Sequence, residues 1–208
     1  MDSVDQWLSA PTQIAQPADV PSHLTRLVTA LRAAEPHQLS TNDPPATSVA
    51  KRQAAVLILL KDTAQGIEVV LLQRNNSLRD HPGEIAFPGG SREPADRDPT
   101  ATALREAAEE IGLDTSGVDP LITLPRLHIR PSGFDVTAVV GHWRRPGPTR
   151  IDPAETHRVF DVALAELDDP HRWHTFHAGG WTGPATLIGN ARLWGYTAEV
   201  LLYMSQHR

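Results

Sequence analysis

The 208-residue chain has no cysteine. That absence excludes disulfides, thiolate metal sites, iron–sulfur clusters and a cysteine nucleophile, and it fits a reducing, intracellular setting. Long apolar runs are missing as well. The longest, Ala54 to Leu60, falls far short of the roughly 20 residues a membrane helix needs. The opening Met1-Asp2-Ser3-Val4-Asp5 lacks the basic flank and apolar stretch of a secretory signal, so a cytoplasmic protein with no membrane association is expected. Lysine is scarce: Lys51 and Lys61 are the only two, and arginine carries the remaining positive charge. Arginine suits bidentate phosphate contacts. Nineteen Lys and Arg against 25 Asp and Glu leave a net charge of -6, which repels a polyphosphate backbone. A nucleic-acid polymer is disfavoured as a partner, whereas a small anionic ligand held by a few arginines or a bridging metal is compatible.

A hydrophobic content of 40% suffices for one domain with a modest extension, because a chain of this size buries roughly 70% of its unfolded surface. Over residues 1–50, Pro11, Pro17, Pro21, Pro36, Pro44 and Pro45 space out polar text. One helix is predicted there, capped by Ser22 and carrying Leu24, Leu27, Val28 and Leu31 at helical spacing. His37 to Ser48 reads as a linker, since Asn42-Asp43-Pro44-Pro45 cannot continue regular structure. The main domain is expected over residues 51–208.

Within it, Ala54–Leu60 and Ile67–Leu72 predict a hairpin turning at Asp62, Thr63 and Gly66. Leu121–Ile129 and Phe134–Trp143 read as a second strand pair, Val159–Leu164 and Ala185–Ile188 as further strands, and Ala191 to Met204 as a closing helix. Strand runs around isolated helices predict an α+β, layered α/β/α sandwich. His171, His174 and His177 recur every third residue; with Pro170 before and Gly179-Gly180 after, they read as irregular polar surface. Trp143, Trp173, Trp181 and Trp194 read as packing residues.

The clearest helix covers residues 99–111, with Asp98 as cap, Pro99 in the first position and Gly112 where a left-handed stop is wanted. At about 100° per residue, Glu106, Glu109 and Glu110 share one arc while Leu104, Ala107, Ala108 and Ile111 occupy the other. Like charges four residues apart cost a few tenths of a kcal/mol, so Glu106 and Glu110 call for a compensating cation. A divalent ion with oxygen ligands, Mg²⁺ or Mn²⁺, is one answer. A solvated acidic face partly neutralised by an Arg105–Glu109 pair is the other.

Upstream, Phe87-Pro88-Gly89-Gly90 offers a backbone that a ligand can approach closely. Together, Gly90, Asp96, Arg105, Glu106, Glu109, Glu110, Gly112 and Leu113 resemble the signature of the Nudix hydrolases: Gly, five residues, Glu, seven residues, Arg-Glu-apolar-any-Glu-Glu-any-Gly-apolar. Arg105 to Leu113 matches at every fixed position. Ahead of it, Asp96 replaces the first Glu and eight residues rather than seven follow. Arg74, Arg79, Gly83 and Phe87-Pro88-Gly89-Gly90 are similar to the pattern of one branch, the coenzyme A pyrophosphatases. Leu72 and Asn75 depart from that branch, which favours Thr at the first and Ser or Ala at the second.

The resemblance implies a Nudix fold with a mixed sheet between helices and an N-terminal helical extension. It implies that Glu106, Glu109, Glu110 and the carbonyl of Gly90 ligate Mg²⁺ or Mn²⁺, and that Arg105 orients the glutamates. Glu106 is the first choice of proton acceptor and Glu155 the second. Arg74, Arg79 and Arg92, with Gly89 and Gly90, are the candidates for binding the substrate phosphates. The implied substrate is a small nucleotide, coenzyme A or acyl-CoA, cleaved to 3′,5′-ADP and 4′-(acyl)phosphopantetheine. ADP-ribose, NADH, dinucleotides and oxidised nucleotides stay open, as does a non-catalytic nucleotide-sensing module. A homodimer is compatible with all of these.

Overall fold

Along Gln53–Thr63, strand β1, most side chains are buried because both faces of the strand are covered. The computed structural model describes residues 7–8, 15, 19–46, 52–130 and 132–208. Met1 to Asp5, Pro11, Pro17 and the expected domain start at Lys51 lie outside them. β1 turns back into β2 (Gly66–Arg74) with Thr63 opposite Gly66, as the hairpin reading anticipated. It also runs parallel to β7 (Phe134–Trp143), from Gln53 opposite Asp135 to Leu60 opposite His142. β3 (Ile85–Ala86), β4 (Gly89–Ser91), β5 (Val118–Thr123), β6 (Leu127–Ile129) and β8 (Thr156–Ala163) complete this mixed sheet. Its path is β3-β2-β1-β7-β5, with β4 on β1, β6 on β7 and β8 on β2. A smaller sheet joins β9 (His174–Ala178), β10 (Trp181–Ile188) and β11 (Ala191–Leu193).

Among the described residues, the helices with described bounds are α1 (Thr25–Ala33), the short α2 (Pro36–Leu39), α3 (Pro99–Ile111) and α4 (Gly195–His207). Strand alternation sorts the core into two layers. On one face, Ile58, Leu60 and Val140 pack with Leu24, Leu27 and Leu31 from the N-terminal segment and Leu201 and Met204 from α4. On the other, Ala55, Leu57, Leu59 and Val139 meet Ala103, Ala107 and Ile111 of α3. The result is the expected α+β sandwich with an N-terminal helix, and α3 covers one sheet face with Trp7 beside it.

Five local readings need correction. Ser22 does not cap a helix: it opens a 3-10 turn, Ser22–Leu24, that runs into α1, closed by Leu24 N–H on the Pro21 carbonyl at 2.8 Å. His37 to Ala46 is no loose linker. Besides α2, it carries Ser40 and Thr41, whose hydroxyls each donate to the buried Glu199 carboxylate at 2.7 Å, and Pro45 bridges to Leu127. A buried carboxylate needs such donors, which holds the segment in place. Residues 47 and 48 of that linker are outside the described set.

The strand read over Leu121–Ile129 is two, β5 and β6, interrupted at Leu124-Pro125-Arg126, where Pro125 has no N–H to give a ladder. The closing helix starts only at Gly195, because Arg192 and Leu193 pair with Leu187 and Thr186 as β11. The histidine stretch is regular, too. His174 and His177 lie in β9, turned into β10 by Gly179 and Gly180 at φ 55° and 83°, the left-handed pair that a two-residue hairpin requires. His171 sits in the preceding 3-10 turn.

Candidate active site

Local signals place α3. The Asp98 side chain accepts from Ala101 N–H at 2.7 Å, Pro99 fills the first turn, and Gly112 ends the helix at φ 63°. Its apolar side lies on β1, and its acidic side meets β4, which pairs with β1 through Ala55–Gly90 and Val56–Gly89. At Gly90 a Cβ would stand 2.6 Å from the Glu106 carboxylate, and at Gly89 one would stand 2.5 Å from the backbone of β1. Glycine is what lets β4 and α3 approach this closely.

The three glutamates do not share one environment. Glu110 is buried at 3% exposure, and its Oε2 accepts from Gly89 N–H at 2.8 Å. Burial pushes its pKa up to about 8; Gly89 N–H and Arg74 oppose the rise, and the charges of Glu106 and Glu155 add to it. Arg74 Nη1 approaches Glu110 Oε1 at 3.9 Å. Glu106 is also raised, first by burial and further by Glu109 and Glu155, against the pull of Arg105. Glu109 is exposed and ion-paired to Arg105 Nη1 at 2.9 Å. The sequence reading put all three on one acidic arc; the fold buries one of them under β4.

Arg105 also meets Glu106 at 3.0 Å and Asp96 at 3.0 Å, and donates to the Ser91 carbonyl at 2.8 Å. Glu155 follows a turn tied to the helix end, in which Asp152 N–H donates to the Glu110 carbonyl at 3.1 Å and Glu155 N–H to the Asp152 carbonyl at 3.1 Å. The fold therefore gathers Glu106, Glu110, Glu155, Arg74, Arg105, Gly89 and Gly90. Arg79 is exposed in the loop between β2 and β3. The Arg92 guanidinium lies over the Trp7 ring, 6.0 Å from its centroid.

The donor set fits a divalent cation. Glu106, Glu109 and Glu110, the Gly90 carbonyl and the neighbouring Glu155 offer only oxygen, as hard ions prefer. Burial first, and the neighbouring carboxylates in addition, raise Glu106 and Glu110, and a bound cation would offset both effects. Two site features escaped the sequence reading. The sequence points Arg74 at the substrate alone, whereas the fold also brings it to Glu110. Trp7, fully buried and donating from Nε1 to Thr102 Oγ1 at 3.2 Å, backs α3 from 95 residues away. No spacing rule signals a contact that distant.

Comparison with known proteins bears on the same region. The NUDIX domain family model matches residues 51–188. The chain is 34% identical over 163 residues to NudL of Yersinia pestis (strain Pestoides F), described as an uncharacterized Nudix hydrolase, across 76% of this chain and 81% of that one. NudL of Yersinia pseudotuberculosis serotype O:1b (strain IP 31758) gives the same 34% identity and the same 76% and 81% shares. Among solved structures, the NUDIX domain of Shewanella oneidensis NrtR complexed with ADP ribose is similar over 64% of this chain and 86% of that one, at 21% identity and a TM-score of 0.46. The span under the family model and the positions shared with NudL show that this chain belongs to the NUDIX family.

Proposed function

We propose that the chain is a metal-dependent pyrophosphohydrolase of nucleoside diphosphate derivatives, and that its substrate is coenzyme A or acyl-CoA. The observation that carries the reaction class is the convergence of the Glu106, Glu110 and Glu155 charges beside the Gly89–Gly90 backbone. Phosphoanhydride hydrolysis needs positioned water and neutralised phosphoryl charge more than covalent help. Mg²⁺ or Mn²⁺, when bound, would supply both by polarising the phosphoryl oxygens and acidifying the attacking water.

This chain's residues do the rest. Glu106, Glu109 and Glu110, with the Gly90 carbonyl, would hold the ion. Arg105, anchored on Asp96, keeps Glu106 and Glu109 in place. Glu106, raised by burial, accepts the proton of the water, with Glu155 as the second candidate. The water oxygen bonds to phosphorus, the P–O–P link breaks, and the leaving group departs as a phosphate monoester.

Arg74, Arg79 and Arg92 are the arginines for the substrate phosphates. Arg74 N–H donates to the Glu84 carbonyl at 2.9 Å while its side chain reaches Glu110. Glu84 lines a cavity of about 260 Å³ with Ile85, Ile129, Trp181, Trp194 and Tyr196, a mostly apolar space for one end of the substrate. The coenzyme A reading is supported by Arg74, Arg79, Gly83 and Phe87 to Gly90, which follow that branch's pattern.

Product analysis tests both levels, using the purified chain with Mg²⁺ or Mn²⁺ and a panel of CoA, acyl-CoA, ADP-ribose, NADH and 8-oxo-dGTP. Release of 3′,5′-ADP from the coenzyme A substrates ahead of the others is expected. Preferred cleavage of ADP-ribose overturns the substrate and keeps the reaction. Nucleotide affinity with no turnover overturns the enzyme in favour of a sensor.

A further inference from the structure

We propose that His23, Asp62 and His142 form a second metal site, for a borderline transition-metal ion such as Zn²⁺, on the sheet face opposite the acidic cluster. His142 lies directly opposite Leu60 in the parallel β1–β7 register, and Asp62 is two residues further along β1. Strand alternation therefore brings both side chains out on the face that Leu60 and Val140 share with the N-terminal segment. There the 3-10 turn Ser22–Leu24 presents His23. Three elements distant in sequence thus deliver one ligand each.

The donor atoms already converge. His23 Nε2 is 2.6 Å from Asp62 Oδ1, and His142 Nε2 is 2.9 Å from Asp62 Oδ2. One donor atom from each of the three residues lies within 4.8 Å of the others, the single such group of histidine and acidic residues among those described. Zinc bonds of 2.0–2.2 Å in tetrahedral geometry separate ligands by roughly 3.3 Å. Each of the two short contacts need open by less than about 1 Å for an ion to take the place of the protons.

Two imidazole nitrogens and one carboxylate oxygen favour zinc over magnesium. The fourth position falls to water. His23 and Asp62 are about half exposed, which leaves the ion a route in, while the more buried His142 anchors the site. Asp62 is seven residues along β1 from Ala55, the partner of Gly90. At about 3.3 Å per residue that is roughly 23 Å, so an ion here fastens the N-terminal segment onto the strand ends and does not touch the acidic cluster.

The test is a calorimetric titration of ZnCl₂ into the untagged full chain in saturating MgCl₂, with thermal unfolding alongside. Wild type is expected to take up one zinc equivalent and to melt at a higher temperature with zinc. His23→Ala and His142→Asn are each expected to lose more than about tenfold in zinc affinity and to lose the thermal gain. His23 is exposed, so its variant keeps the comparison valid should His142→Asn fold poorly. CoCl₂ should give a visible d–d absorption that disappears in both variants. Zinc uptake equal in wild type and His23→Ala would overturn the proposal. So would loss of the zinc equivalent in Glu106→Gln, which would assign the ion to the acidic cluster.

Discussion

Arg105 holds Asp96 with two nitrogens, Nε donating to Oδ1 at 3.2 Å and Nη2 to Oδ2 at 3.0 Å. The same guanidinium reaches Glu106 and Glu109, so the position of Asp96 sets the position of the glutamates. Asp96 stands where the family signature has Glu, and the segment before Arg105 is one residue longer. A shorter side chain on a longer loop reaches the same partner. Thr102 Oγ1 and Glu93 N–H complete the bonds to Asp96, at 2.9 Å and 2.8 Å.

Asp96→Asn keeps the shape and removes the charge. A stability loss of about 1–3 kcal/mol in urea unfolding is expected, with turnover down roughly 10–100-fold as the glutamates lose their anchor. Burial pushes the Asp96 pKa up, but the Arg105, Glu93 and Thr102 hydrogen bonds outweigh it and hold the carboxyl below its ordinary value. A depressed folded pKa means the native state releases its proton more readily than the unfolded chain. The stabilisation is present above the ordinary carboxylate range and disappears as pH falls through the folded value. The gap between wild type and variant is therefore widest near neutrality and closes in acid; equal urea midpoints at pH 7 would count against the anchor.

Glu110 has the opposite sign. Burial raises it to about 8 in the metal-free protein, so the native state holds a proton that the unfolded chain gives up near pH 4.5. Stability of the protein in EDTA should decline as pH rises from about 5 to about 8, by on the order of 3 kcal/mol, and then level off. Mg²⁺ should remove most of this decline and release protons on binding. Glu110→Gln should abolish most turnover, yet unfold later than wild type in EDTA at pH 8.5. A wild-type rate in that variant would remove the carboxylate from the reaction.

Trp7 has no exposed surface and packs against Ala103 and Ala107 of α3. Trp7→Ala should cost about 3–5 kcal/mol in denaturant unfolding, the range for emptying a buried aromatic site. An unchanged unfolding midpoint would detach this residue from the core.

The parts of the fold that were legible are those specified locally. Asp98, Pro99 and Gly112 announce α3 within a few residues of its ends, and Thr63 to Gly66 announces the first hairpin. The parts that were not depend on distant pairings. Ser40 bonds Glu199 across 159 positions, which turns an apparent linker into ordered structure. In the site, helical spacing places Glu106, Glu109 and Glu110 on one arc but says nothing about which edge of it β4 will cover. Only the packing of β4 over the helix, marked by the Gly89–Glu110 hydrogen bond, decides that, and the burial that comes with it raises Glu110 against the pull of that same bond.

Gly90→Ala separates the site from the fold. The new methyl would stand 2.6 Å from the Glu106 carboxyl carbon, a contact no real Cβ tolerates. The obstructing atoms are the far end of a flexible side chain, so Glu106 swings away and the backbone of β4 need not move. The fold should survive, with an unfolding midpoint within about 1 kcal/mol of wild type. Displacing one carboxylate by even an ångström disrupts a set that must act together, so kcat should fall at least about 100-fold. Gly89→Ala makes the control: its Cβ would strike the backbone of β1 at 2.5 Å, which has nowhere to go. That variant should lose stability and activity together, whereas Gly90→Ala should lose activity alone; parallel losses in both would mean that Glu106 is not free to move.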